Sequence, residues 1–213
     1  MYKFVQWFLR ITGYIPSLFY FRRRKVYYEN RKSQGRRIKG KAIVVSNHFY
    51  VYDFALYLFV FYQSNLRPLI GEALFHYNKA FNFLARAIGG IKVERDAYDF
   101  TFMSKAVNAL NKKQKLLIFP EARFPLEHEM DLLPFTPSFV YIALESGAPI
   151  VPVYHNKKFK KKGYTSCIIG EKIYLTELYD HSLSEKENVE RLTNYVRNYI
   201  ISLGKKLDEK DKR

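Results

Sequence analysis

A histidine and an aspartate stand five residues apart in the stretch IVVSNHFYVYDF, directly after an apolar run. His48 offers a ring that takes up a proton near neutral pH, and Asp53 offers a carboxylate that can hold one ring nitrogen. Such a pair can deprotonate a hydroxyl group as it attacks an electrophile. The spacing alone is unspecific, because two polar residues that cap a helix would give the same pattern. The rest of the chain must decide between the two interpretations.

The elements around this pair predict where each side chain lies. Residues 42–46 form a β-branched run typical of a buried strand, and residues 53–63 have the pattern of a helix. Five residues of an ideal helix turn through about 500°, which would leave the two side chains about 140° apart. We therefore expect His48 in the turn after the strand and Asp53 at the start of the helix.

Other predicted strands also end in polar residues. Arg95 follows the strand at 91–94, and Glu121 and Arg123 follow the strand at 115–120. A strand at 149–155 is apolar with two prolines and is interpreted as architectural. Because functional groups gather where the strands of α/β folds end, the first two of these sites are candidates for chemistry.

Strands and helices alternate from residue 42 to a C-terminal helix predicted over about 184–207, with a solvated tail beyond it. This alternation predicts an α/β fold with a mixed, largely parallel sheet flanked by helices. The hydrophobic content of 48% over 213 residues is enough for one core. We assign residues 25–213 to this domain and residues 1–24 to a separate helical segment.

The net charge of +16 and the pI of about 9.7 indicate an anionic partner. A nucleic acid, an acidic membrane surface and a phosphorylated substrate all satisfy this condition. The charge is concentrated, since residues 1–41 carry twelve Lys or Arg and one acid, Glu29.

Residues 1–24 are predicted to form a helical pair broken near Gly13 and Pro16. The first helix has a broad apolar face that carries Trp7, and a basic cluster follows the second. Apolar and aromatic residues followed by cations are typical of an amphipathic segment in a membrane interface. The predicted membrane-binding residues are Trp7, Arg22, Arg23, Arg24 and Lys25. The alternative is a helical pair packed on the domain with a solvated basic end.

The same segment is a poor membrane span, because Lys3, Arg10 and Pro16 interrupt it. It also lacks a signal-peptide cleavage pattern. The protein is therefore expected at the cytoplasmic face of a membrane as a peripheral protein. Cys167, the one cysteine, excludes an internal disulfide and is expected to be buried and inert.

Four blocks of sequence, NHFYVYD, GGIKVERD, FPEA and PIVPV, occur in this order between about residues 40 and 155. In these blocks the chain resembles the glycerophospholipid acyltransferases, the 1-acylglycerol-3-phosphate acyltransferase family. Each block is unspecific alone, but the four in order are specific. The resemblance implies a glycerolipid acyltransferase-like fold.

The resemblance also implies an activity, the transfer of a fatty acyl group from acyl-CoA or acyl-carrier protein to a lysophospholipid. Lysophosphatidic acid is the expected acceptor, and no metal or other cofactor is expected. His48 would be the general base and Asp53 its partner, with direct attack on the thioester, because no Ser or Cys lies at a nucleophile elbow. The residues expected to bind substrate are Asn47, Arg95, Glu121 and Arg123.

Departures from the family pattern leave the identity of the acyl acceptor open, and the roles of Glu121 and Arg95 have alternatives. Ala122 stands where the family has glycine, and RFP replaces the residues that usually follow. Glu121 is interpreted either as part of the acceptor site or as a structural hydrogen-bond acceptor. Arg95 either binds a phosphate or pairs with Glu94 or Asp96. A basic nucleic-acid-binding domain and an altered relative with a different acceptor are the alternative functions.

Overall fold

The computed structural model describes residues 1–21, 24–94, 101–126, 129, 132–156, 159 and 165–212. Within these ranges the helices are α1 (Tyr2–Thr12), α2 (Tyr14–Tyr20), α3 (Asp53–Val60), α4 (Glu72–Tyr77), α5 (Lys79–Ala87), α6 (Thr101–Asn111), α7 (Ser138–Ser146) and α8 (Glu185–Asp211). The strands are β1 (Lys25–Tyr28), β2 (Ala42–Ser46), β3 (Leu66–Gly71), β4 (Ile91–Val93), β5 (Lys115–Ile118), β6 (Ile150–His155) and β7 (Ser166–Ile169).

The strands form one seven-stranded sheet in the order β1-β7-β6-β2-β5-β3-β4 within the described chain. All neighbouring strands are parallel except β6 and β7, which are antiparallel. This confirms the predicted mixed, largely parallel sheet. Strand β2 lies between β5 and β6, with Val45 opposite Ile118 on one side and Pro152 on the other. The carboxyl ends of these three strands therefore share one edge.

The sheet is buried on both faces, which explains the uninterrupted apolar runs in the sequence. In β2, Ile43 and Val45 pack into a cluster with α6, α7 and α8. Val44 points the other way, into a cluster with Phe21 and α3. Successive strand residues alternate between the two cores, so the domain has three layers, helices on both faces of a sheet.

The two N-terminal helices turn polar groups toward the domain. The Gln6 amide is fully buried and donates to the backbone carbonyls of Leu66 at 2.7 Å and Ile88 at 2.8 Å. Arg10 donates hydrogen bonds to the carbonyls of Leu58, in α3, and Ser64, and to the side-chain oxygen of Asn65. These contacts fasten α1 to the domain through its polar side.

The opposite side of these helices is exposed and apolar. The large exposed side chains are Phe4, Trp7, Phe8, Ile11, Tyr14, Ile15, Leu18 and Phe19. This arrangement is the reverse of a surface helix in a water-soluble domain, which buries its apolar stripe. In the part of the chain that the structure describes, no helix has both the length and the hydropathy of a bilayer span.

Two elements differ from the sequence prediction. Strand β1 (Lys25–Tyr28) pairs with β7 at the edge of the sheet, where the sequence analysis predicts no strand. The C-terminal tail is helical rather than frayed, because α8 continues to Asp211, although most of its described residues are exposed as predicted. The Asp211 carboxylate accepts hydrogen bonds from Ser166 and Asn156, so a contact between residues distant in sequence holds the final helical turn.

Candidate active site

Three polar side chains meet at the carboxyl edge of the central strands. His48 lies two residues after β2, Glu121 three residues after β5, and His155 is the last residue of β6. They come together because β2 is hydrogen-bonded to both β5 and β6. The expectation that functional groups gather where strands end therefore placed His48 and Glu121 at the correct edge of the sheet.

The predicted His–Asp pair is formed. His48 Nδ1 lies 2.8 Å from Oδ2 of Asp53, which is the first residue of α3 and is completely buried. The same oxygen accepts the backbone N–H groups of Phe49 at 2.7 Å and Tyr50 at 3.0 Å. A carboxylate at Nδ1 fixes the proton there and leaves the lone pair on Nε2, which is the form of histidine that acts as a base.

Asp53 is held in its charged form. Burial alone opposes ionisation, but the charge of His155, 3.5 Å away, and the hydrogen bond from His48 lower the pKa of Asp53 below its usual value. Since the group is ionised, it can balance a positive charge on an imidazole.

Aromatic rings fix the orientation of the His48 side chain. Its ring stacks on Phe119, with 4.1 Å between centroids and 10° between planes, and Phe124 lies 4.4 Å away. The side chain is 15% exposed. The imidazole is thus confined by packing as well as by its hydrogen bond.

Glu121 ties the His48 loop to another segment. One carboxylate oxygen accepts the His48 backbone N–H and the other accepts that of Leu133, each at 2.7 Å. Burial raises the pKa of Glu121 to about 7, although these two N–H donors act against the rise. The contacts match the structural interpretation of Glu121, which positions the backbone of the base.

The Asn47 side chain makes its hydrogen bonds to the backbone of β6, and its substrate contact stays a prediction. Its side chain is fully buried. Its amide nitrogen donates to the carbonyl of His155 and its oxygen accepts the backbone N–H of the same residue, both at 2.9 Å. Asn47 therefore extends the pairing of β2 and β6 beyond the last strand hydrogen bonds.

Two arginines were candidates for binding an acceptor phosphate. Arg123 lies at the cavity wall and makes a bidentate pair with Glu129, with both N–O distances 2.6 Å. Its charge is thus already paired in this structure. Arg95 lies outside the described residues, so its role stays a prediction.

The predicted membrane-binding residues have mixed placements. Trp7 is 52% exposed on the outer face of α1. Arg24 turns back onto the domain, donating to Ser17 at 2.8 Å and stacking over Phe59, and Lys25 begins β1. Arg22 and Arg23 lie outside the described residues. Of the predicted membrane-binding residues that the structure describes, Trp7 is therefore the one that lies on an exposed apolar face.

Ala122 explains why a glycine is usual at its position. Its φ is +63°, in the left-handed region that glycine enters freely. A residue with a Cβ atom pays about 1–2 kcal/mol for this conformation. Ala122 therefore holds a backbone conformation that a glycine would adopt at lower cost.

A large apolar cavity of about 1190 Å³ opens beside His48. His48, Phe119, Ala122 and Phe124 form part of its wall. Apolar residues from the helical layer line much of the remainder: Leu9, Pro16, Phe54, Leu58, Leu74, Phe81, Leu84 and Ile88. Such a cavity suits a hydrocarbon chain that must reach the base. Across the described residues, no cluster of three or more His, Cys, Asp or Glu forms a metal site.

The sequence interpretation missed His155. It is fully buried, and its Nε2 lies 3.5 Å from Asp53 Oδ2. The available signal was its place at the end of a buried strand, the same signal that identified His48. The other residues of β6 are apolar, and this pattern predicts a structural strand and no site residue.

Comparison with known proteins agrees with this geometry. The family model described as Acyltransferase matches residues 22–156. The crystal structure of the 1-acyl-sn-glycerophosphate (LPA) acyltransferase PlsC from Thermotoga maritima has a similar fold, with a TM-score of 0.63 and 20% sequence identity. The match covers 95% of this chain and 81% of that one. A search of curated proteins finds no match.

The raised pKa of Glu121 predicts a pH-dependent stability. The pKa is about 7 in the folded protein and the usual 4.5 when unfolded, so the stability linked to the extra proton is present below 4.5 and lost as the pH rises through 7. Glu121→Gln removes this titration. We expect the stability of the wild type relative to the variant to fall by about 2 kcal/mol between pH 5 and pH 8, measured by urea unfolding.

The control is Glu145→Gln, on the exposed side of α7. Its difference from the wild type should stay nearly constant across the same range. If the stability difference between the wild type and Glu121→Gln is also constant from pH 5 to pH 8, Glu121 does not titrate in this way.

Proposed function

Because the chain belongs to the Acyltransferase family, we propose that it moves a fatty acyl group from acyl-CoA or acyl-carrier protein to the free hydroxyl of a lysophospholipid. The observation that carries the proposal is the 2.8 Å contact of buried Asp53 with His48, whose ring lies in the wall of the apolar cavity. A base lies where an acyl chain and a hydroxyl can meet. The proposed reaction needs no cofactor besides the acyl donor.

In the proposed mechanism, His48 Nε2 takes the hydroxyl proton as the acceptor oxygen attacks the thioester carbonyl. The carbon–oxygen bond forms and the carbon–sulfur bond breaks. The proton then passes from His48 to the departing thiolate. Asp53 stabilises the imidazolium that exists between these transfers, and it keeps the ring in the required orientation.

The proposed acceptor is lysophosphatidic acid. It is supported by the order of the sequence blocks and by the name of the Thermotoga maritima protein, which acts on 1-acyl-sn-glycerophosphate. Arg95 and Arg123 would bind the acceptor phosphate. To do so, Arg123 would release the Glu129 carboxylate and pair with the phosphate instead. The altered block after Glu121 makes another lysophospholipid the second candidate acceptor.

We propose a peripheral position on the cytoplasmic face of a membrane; the exposed aromatic face of α1 and α2 supports the membrane contact. Leu9, Gly13 and Pro16 from the same helices line the apolar cavity. A membrane that covers the outer face would therefore meet the helices that enclose the acyl chain. Because much of the positive charge adjoins this face, we propose an anionic membrane surface and no nucleic acid as the partner.

A screen of acceptors and donors tests the proposed activity. Purified protein is incubated with each lysophospholipid together with acyl-CoA or acyl-carrier protein, and the product is identified by mass spectrometry. We expect phosphatidic acid from lysophosphatidic acid. His48→Ala should lower turnover by at least about a hundredfold, since general-base catalysis contributes about 10²–10⁴.

His181→Ala, at an exposed position outside the site, is the matched control and should keep full activity. Circular dichroism confirms that both variants are folded. Full activity in folded His48→Ala would contradict the mechanism.

Vesicle flotation tests the proposed membrane surface. Phe4 and Phe8 are 66% and 50% exposed, so the double variant Phe4→Glu/Phe8→Glu should fold. Adding two charges to the apolar face should weaken binding to vesicles that contain anionic lipid by at least about tenfold.

Tyr195→Glu is the control, because Tyr195 is 44% exposed on α8, away from α1. It should bind vesicles like the wild type. Unchanged flotation of the double variant would contradict the surface, and tight binding to DNA or RNA in a shift assay would favour the nucleic-acid alternative.

A further inference from the structure

A second histidine shares the carboxylate of the catalytic pair. His155 Nε2 lies 3.5 Å from Asp53 Oδ2, the oxygen that also contacts His48 Nδ1 at 2.8 Å. His155 and Asp53 are both completely buried. The order is thus imidazole, carboxylate, imidazole, with one oxygen between the two rings.

The contacts of His155 determine where its protons lie. Nδ1 is 3.1 Å from the carbonyl oxygen of Asn156, and a carbonyl only accepts, so Nδ1 carries a proton. A neutral ring would then direct the Nε2 lone pair at the Asp53 carboxylate. A protonated ring places an N–H there instead, and the two opposite charges attract.

Within the described part of the chain, Asp53 is the principal charged partner of His155. The ring packs among Phe49, Tyr57 and Phe159, with centroids 5.3 to 5.9 Å away. Among the described residues, the titratable groups nearby are Asp53 and Tyr57 on α3, His48, Glu121 after β5, Cys167 opposite on β7 and Asp211, which contacts Asn156.

Neither the tyrosine nor the cysteine contributes a charge at neutral pH. Burial raises the pKa of Cys167 to about 12 and that of Tyr57 well above its usual value. Burial lowers the pKa of His155 itself, but the Asp53 charge and the hydrogen bonds outweigh it and raise the value above the usual one.

We propose that His155 is a positioning residue, a buried imidazolium that keeps Asp53 ionised and in place for His48; this rests on the proposed function of the His48–Asp53 pair. When His48 takes up the hydroxyl proton, the carboxylate is flanked by two cations. Their repulsion makes protonated His48 release its proton more readily. His155 thereby favours protonation of the departing thiolate.

His155→Gln tests this role, because it keeps a polar side chain and removes the charge. Without the second cation, Asp53 holds a proton on His48 more strongly, so a higher pH is needed to free the base. We expect the midpoint of the acidic limb of the kcat–pH profile to move up by about one pH unit, so that kcat at pH 7 falls by up to about tenfold and recovers above the new midpoint. KM for the acyl donor should change little, and His181→Gln should change neither.

Nitrogen-15 NMR of the histidine rings measures the protonation state of His155 in the wild type, and it requires neither turnover nor a variant. We expect both ring nitrogens of His155 to be protonated at pH 7. One unprotonated His155 nitrogen at that pH, or an unmoved profile in folded His155→Gln, would overturn the proposal. A wild type that transfers no acyl group would contradict the proposed function, whereas the NMR reading would still decide the state of His155.

Discussion

The site depends on one buried carboxylate oxygen. Asp53 Oδ2 accepts two backbone N–H groups from the loop that carries His48 as well as the ring of His48 itself. A buried charge is tolerated only with such compensation, so the loop must close around the carboxylate for the domain to be stable. The same hydrogen bonds that satisfy Asp53 also place the ring of His48, the proposed base. Stability and geometry therefore have a common origin here.

The sheet supplies the frame for this oxygen. The parallel pairing of β2 with β5 and β6 brings residues from three distant parts of the chain to one edge. Asn47 then fastens the end of β2 to β6, and Glu121 fastens the His48 backbone to the segment at Leu133. Each tie uses a buried side chain whose hydrogen bonds are made to backbone groups. The base thus has rigid support on both sides, while its open side faces the apolar cavity.

The sequence predicted those features that depend on local pattern. The strand-to-helix change around residues 46–53 placed His48 and Asp53 correctly, since it follows from hydrophobic periodicity. The role of Asn47 and the partnership of His155 with Asp53 were not predictable in this way. They depend on contacts across about a hundred residues, 108 in the case of Asn47. The positive φ of Ala122 is a backbone property that alanine does not signal, although the family's glycine at this position is consistent with it.

The N-terminal helices show a similar division. Their apolar composition predicted an exposed face, and the structure has one. The sequence did not reveal that Gln6 and Arg10 attach the helices to the domain, because these polar residues pair with carbonyls of α3, β3 and the end of α5. The helices that enclose the cavity are consequently the ones that present aromatic residues outward.

The rate of a single acyl transfer by Asp53→Asn tests the central claim most directly. The asparagine oxygen should take the place of Oδ2, because two backbone N–H groups require an acceptor there. The variant then keeps the orientation of His48 and loses only the charge. We expect the rate in the folded variant to fall on the order of a hundredfold or more. A rate within about threefold of the wild type would show that the buried charge does not support the base.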